Sequence, residues 1–83
     1  MRLAKHVKFR EEKFGGVLFE TRSEKVYTLT PTAAAVVQEI TAGRASDEIA
    51  PTLAARFEAQ DGTIEREVGV FLAELREKGL VED

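Results

Sequence analysis

The sequence contains no cysteine, one histidine and two prolines. Without cysteine there is no disulfide, no thiolate nucleophile and no zinc site built on Cys, a composition that fits a reducing cytoplasm. The single histidine, His6, sits near the start of the chain, where a lone exposed imidazole is incidental far more often than catalytic. Metal binding needs several convergent ligands, and no H-x-x-E-H, EF-hand loop or Cys/His cluster occurs, so no metal and no other cofactor is expected. No apolar run approaches the roughly 20 residues needed to span a membrane. The basic start Met1-Arg2-Leu3-Ala4-Lys5-His6 has no apolar stretch behind it, so neither a signal peptide nor a membrane partner is expected.

What is present suffices for one small domain. Eighty-three residues, 43% of them hydrophobic, allow a modest core spanning residues 1–83 but not a deep substrate cleft. Residues 1–5 are expected to be disordered. The formal charge of −3 conceals an asymmetry: residues 1–25 hold seven basic and four acidic side chains, and residues 26–83 hold five basic and eleven acidic ones. The first segment is therefore +3 and the remainder −6, a division that bears on partners.

Hydrophobic periodicity divides the chain at residue 30. Val7-Lys8-Phe9-Arg10 alternates apolar and basic residues as a half-buried strand does. Gly16-Val17-Leu18-Phe19-Glu20 and Val26-Tyr27-Thr28-Leu29 are two further β-prone runs, and the short polar connectors 11–15 and 21–25 suit hairpins. A three-stranded antiparallel meander follows. Thr30 and Pro31 then form an N-cap and first helical position, Ala33, Val36, Val37 and Ile40 share a face, and Gly43 stops the helix. Ser46 is the expected cap of a second helix with the stripe Ile49, Leu53, Phe57; Pro51 is tolerated if that helix starts near Ala50 and otherwise bends its first turn. A third helix carries Ile64, Val68, Phe71, Leu72 and Leu75, Gly79 ends it, and Leu80-Val81 folds back on the core. The fold class is α+β, in the order βββααα, with the sheet packed on three helices.

Catalytic chemistry finds no residues in this pattern. The acid pairs Glu11-Glu12, Asp47-Glu48 and Glu82-Asp83 read as solvated charge and helix capping. Gly15-Gly16 precedes a strand instead of opening a helix, so it marks a hairpin turn or bulge and not a phosphate cradle. No nucleophile lies in a recognisable motif. The chain reads as a binding module and not as an enzyme.

Three helices beside a small sheet also suggest a winged helix, so a DNA-binding or DNA-associated regulator is the alternative reading. Two features oppose a nucleic-acid partner. Every strand of the expected meander precedes every helix, whereas a wing follows its recognition helix. The third helix carries Glu65, Glu67, Glu74 and Glu77 against Arg66, Arg76 and Lys78, the wrong balance for a phosphate backbone. The run Val26-Tyr27-Thr28-Leu29 is by contrast uncharged and β-prone, without the proline or inward lysine that guards a sheet edge. An extended peptide can add there as a fourth strand. An edge strand tucked beneath a helix of the same chain satisfies the pattern equally, and an open edge also permits a homodimer.

The runs Val7-Lys8-Phe9-Arg10-Glu11-Glu12, Gly16-Val17-Leu18-Phe19 and Val26-Tyr27-Thr28-Leu29-Thr30, followed by Ala33-Ala34-Ala35-Val36-Val37, resemble the PqqD family. Ile49, Leu53, Phe57 and the stretch from Phe71 to Val81 continue the resemblance over nearly the whole chain. It implies a winged-helix-like βββααα fold that acts as a peptide chaperone, a recognition element for ribosomally made and later modified peptides. It also implies that the leader of a precursor peptide adds to the third strand beside the third helix and is presented to a radical SAM maturase. Carried onto this chain, the strand is Val26, Tyr27, Thr28 and Leu29. With Ile64 at the centre of the buried face, the groove flank of the helix is expected to be Glu65, Gly69, Leu72 and Arg76. The mid-helix Gly69 is expected to admit a close backbone, from the peptide or from the domain's own strand. Val70, on the other side, is left as an exposed contact for the enzyme.

Overall fold

The computed structural model describes residues 1–59 and 61–82; Asp83 of the terminal acid pair lies outside them. Four strands, three helices and a closing strand follow in order: β1 (Arg2–Leu3), β2 (Val7–Glu12), β3 (Gly15–Glu20), β4 (Lys25–Leu29), α1 (Pro31–Thr41), α2 (Ser46–Arg56), α3 (Thr63–Glu77) and β5 (Val81–Glu82). The expected α+β architecture is present, with β2-β3-β4 as an antiparallel meander. It is joined by a small ribbon in which Arg2 pairs with Glu82 and Leu3 with Val81. The expected disorder of residues 1–5 is thereby replaced. Leu80 and Ala4 are buried, the Ala4 amide donates to the Leu80 carbonyl at 2.9 Å, and the two chain ends cover one end of the core together.

Strand limits differ from the expected ones because Glu11 and Glu12 belong to β2, leaving only Lys13-Phe14 as the turn. Glycine is required where the strand resumes. Gly15 has φ +142°, and a Cβ there would collide with the Leu29 carbonyl oxygen. A Cβ on Gly16 would stand 2.7 Å from Phe9 Cε1 and 3.3 Å from Ala34 Cβ, so this glycine lets α1 settle on the sheet. Phe9, Leu18 and Tyr27 are directly paired across the three strands and share the face turned to the helices.

Thr30 caps α1 as expected, its hydroxyl accepting from the Ala33 amide at 3.2 Å, with Pro31 in the first turn. Burial around α1 extends beyond the expected stripe to Ala34 and Ala35, because the helix is enclosed by β3 on one side and by α2 and α3 on the other. The second helix departs further. Its cap position is Ala45, without a side-chain hydrogen bond, and Ser46 already lies within the helix. Pro51 stands inside α2, not at its start, and Phe57 falls past the last turn. There Phe57 is exposed, with the Arg56 guanidinium 5.6 Å from its ring centroid, and α2 contributes Ile49 and Leu53 to the core.

Candidate functional site

The sheet has two edge strands, β2 and β4, and β4 is the one beside the helices' groove. Antiparallel strands alternate between residues bonded to the neighbour and residues whose N–H and C=O point away from it. The Thr21 amide donates to the His6 carbonyl at 2.8 Å, which continues the β2–β3 register and places residues 17, 19 and 21 toward β2. Gly16, Leu18 and Glu20 therefore serve β4, bonding Leu29, Tyr27 and Lys25. That leaves the N–H and C=O groups of Val26 and Thr28 facing outward. None of these four groups meets a partner among the described residues, and no described strand lies beyond them.

Beside this edge runs a groove enclosing about 730 Å³, bounded by Thr28, Leu29, the start of α1 and one flank of α3. Leu29, Ala33, Val36 and Phe71 form its apolar floor, and the α3 wall consists of Arg66, Glu67, Val70 and Glu74. A smaller hollow of about 110 Å³ shares Thr28, Leu29, Phe71 and Glu74 and continues past Tyr27 toward Lys78 and Leu80. Val70 is 60% exposed and presents an apolar side chain on this wall.

The expected strand residues divide by the pleat. Leu29 is buried and Tyr27 half-buried toward the helices, whereas Val26 and Thr28 are exposed on the other face. The expected α3 flank is not the one that lines the groove. Glu65, Gly69 and Arg76 are exposed away from it, and Leu72 is a core residue. The buried face of α3 is centred on Val68, Leu72 and Leu75, with Ile64 only partly covered, and the shoulder turned to β4 is that of Val70. Val70, assigned to the opposite side, thus belongs to the groove. Nothing lies within 4 Å of where a Gly69 Cβ would stand, so no strand approaches that glycine.

Charges around the groove are unevenly engaged. Arg66 turns back to the start of α3, its Nη2 lying 3.4 Å from Thr63 Oγ1. It adds to the field that lowers the Asp61 carboxyl, after the larger effect of the Thr63 amide and hydroxyl. Glu67 and Glu74 make no hydrogen bond or ion pair among the described residues. Across the sheet, His6 is held structurally: its Nε2 is 3.1 Å from Arg22 Nη2, and its carbonyl accepts from the Thr21 amide and hydroxyl. Glu20 titrates below its ordinary range because the Ser23 hydroxyl and the Arg22 and Ser23 amides bond its carboxylate. Neither group enters the groove. The described residues include no cluster of three or more acids or histidines fit to hold a metal, and no helix long and apolar enough to cross a membrane.

A family model described as coenzyme PQQ synthesis protein D (PqqD) matches residues 15–81. No curated protein matches the chain. Among solved structures, the chain is similar to lasso peptide synthetase B1 complexed with the leader peptide, at 27% identity and a TM-score of 0.81, over 99% of this chain and 96% of that one. It also shares the fold of TbiB1 in complex with the TbiA(beta) leader peptide, at 22% identity and a TM-score of 0.84, over 99% and 95% of the two chains.

Proposed function

Because the chain belongs to the PqqD family, we propose that it is a non-catalytic chaperone that binds the leader segment of a ribosomally made precursor peptide and presents it for modification. The observation that carries this reading is the open edge of β4, where Val26 and Thr28 offer two donors and two acceptors beside an apolar groove. A leader adding there gains main-chain hydrogen bonds from the strand and seats alternate side chains against α3. The strand residues of the site are Val26, Tyr27, Thr28 and Leu29. On α3 the contact residues are Glu67, Val70, Phe71 and Glu74, in place of Glu65, Gly69, Leu72 and Arg76. Similarity to two proteins held in complex with leader peptides supports the assignment. The modifying partner in this reading is a radical SAM maturase, which brings the iron–sulfur cluster, and the pair works in the cytoplasm. A second copy of the chain can compete for the same edge, so a homodimer would be the unloaded form.

The test scans the DNA beside this gene for a short precursor reading frame and uses its leader segment, synthesised and labelled for fluorescence anisotropy. Thr28→Pro deletes an outward N–H and leaves the β3–β4 ladder whole, so affinity is expected to fall about tenfold or more while circular dichroism stays native. Tyr27→Pro removes an inward N–H and is expected to destabilise the fold itself. Unchanged affinity in a folded Thr28→Pro variant would move the binding site elsewhere.

A further inference from the structure

Resting on strand addition at β4, we infer that the peptide this groove selects carries a cationic residue on each side of its apolar anchor, in the pattern Lys/Arg-x-apolar-x-Lys/Arg. The apolar part of the α3 flank is short, with Val70 on the wall and Phe71 beneath it on the floor beside Leu29. Glu67 and Glu74 bracket it, seven residues apart on the same flank, or about 10 Å along the helix axis. In an extended strand the residues that share a face lie two apart, so the neighbours of one anchor stand about 13 Å from each other. Lysine and arginine stems are long enough to bring their charged ends back to the two carboxylates while covering apolar surface on the way.

Three independent features converge here. The open backbone edge calls for an extended chain. The apolar stretch of the α3 flank, Val70 and Phe71 between two carboxylates, is one turn long and calls for a single anchor. The two rim carboxylates, free of partners among the described residues, set the sign of the flanking charge. Arg66 does not cancel that sign at the groove centre, because its guanidinium turns back toward Thr63. Lys78 lies at the far end, along the smaller hollow. The charged residues lining the groove are Arg66 against Glu67 and Glu74, a local balance of −1 that favours a cationic peptide.

The experiment selects a displayed library of random nine-residue peptides on the intact protein. Recovered peptides are then assayed by anisotropy against the wild type and against Glu67→Gln/Glu74→Gln. Lys and Arg are expected to be enriched two positions either side of an apolar residue. Replacing both cations by Gln is expected to weaken binding to the wild type about tenfold, and to the double variant less than twofold. Recovered peptides without cation enrichment, or an equal loss on both proteins, would overturn the inference and leave strand addition standing. Recovered peptides that bind Thr28→Pro as tightly as the wild type would instead overturn strand addition, and this inference with it.

Discussion

Trimming Val70 to alanine separates the groove from the fold, because its effects on binding and stability have opposite signs. The residue is 60% exposed, so the core loses little when it is shortened. Alanine is the better helix former, and stability is expected to rise by about 0.5 kcal/mol. A docked leader covers this side chain. Two methyl groups at about 0.8 kcal/mol each, scaled to the part still open to solvent, give a loss near 1 kcal/mol, or about fivefold in Kd. Val70→Asp places a charge in the covered groove beside Glu67 and Glu74 and is expected to cost about 3 kcal/mol or more, over a hundredfold. Urea denaturation reports the stability term and anisotropy with the leader peptide reports the other. Unchanged affinity in both variants would refute the claim that this shoulder of α3 touches the peptide.

The glycines provide two further contrasts. Gly69→Ala meets open space at the middle of a helix and is expected to stabilise the fold by about 1 kcal/mol, with leader affinity unchanged. Gly16→Ala presses on Phe9 and Ala34 and is expected to destabilise by about 1–3 kcal/mol in the same urea assay. Acid acts through Glu20 and Asp61, whose carboxyls titrate below their ordinary values of 4.5 and 3.8. A depressed folded pKa stabilises fully above the unfolded value and is lost as pH falls through the folded one. Stability is therefore expected to hold from neutrality down to about pH 5 and to fall below it, with a weaker fall in Glu20→Gln.

Most of the fold was legible in the sequence, because its elements are set by local signals. Alternation marked the first strand of the meander and β-prone runs the next two, Thr30-Pro31 marked the start of α1, and the spacing Ile64, Val68, Leu72, Leu75 marked α3. The failures share one cause, a decision taken by tertiary contact. Residues 1–5 order only because Val81-Glu82 returns to pair with Arg2-Leu3, a partnership between opposite chain ends that leaves no local pattern. Phe57 was expected in the core by spacing, but α2 ends one residue before it. The misplaced groove flank has the clearest reason. A helical stripe reveals which face is buried and has two symmetrical shoulders, and which of them meets β4 depends on how α3 crosses the sheet. The exposure of Val70 was the available signal, since a solvent-facing valine on an otherwise charged flank called for an explanation.

Strand addition at the open edge of β4 is tested one residue at a time by amide hydrogen exchange with and without the leader peptide. The Val26 and Thr28 amides point outward and are expected to become strongly protected when peptide binds. Those of Lys25, Tyr27 and Leu29 already bond β3 and are expected to change far less. Protection confined to residues 2–10, or spread over 25–29 without alternation, would contradict it.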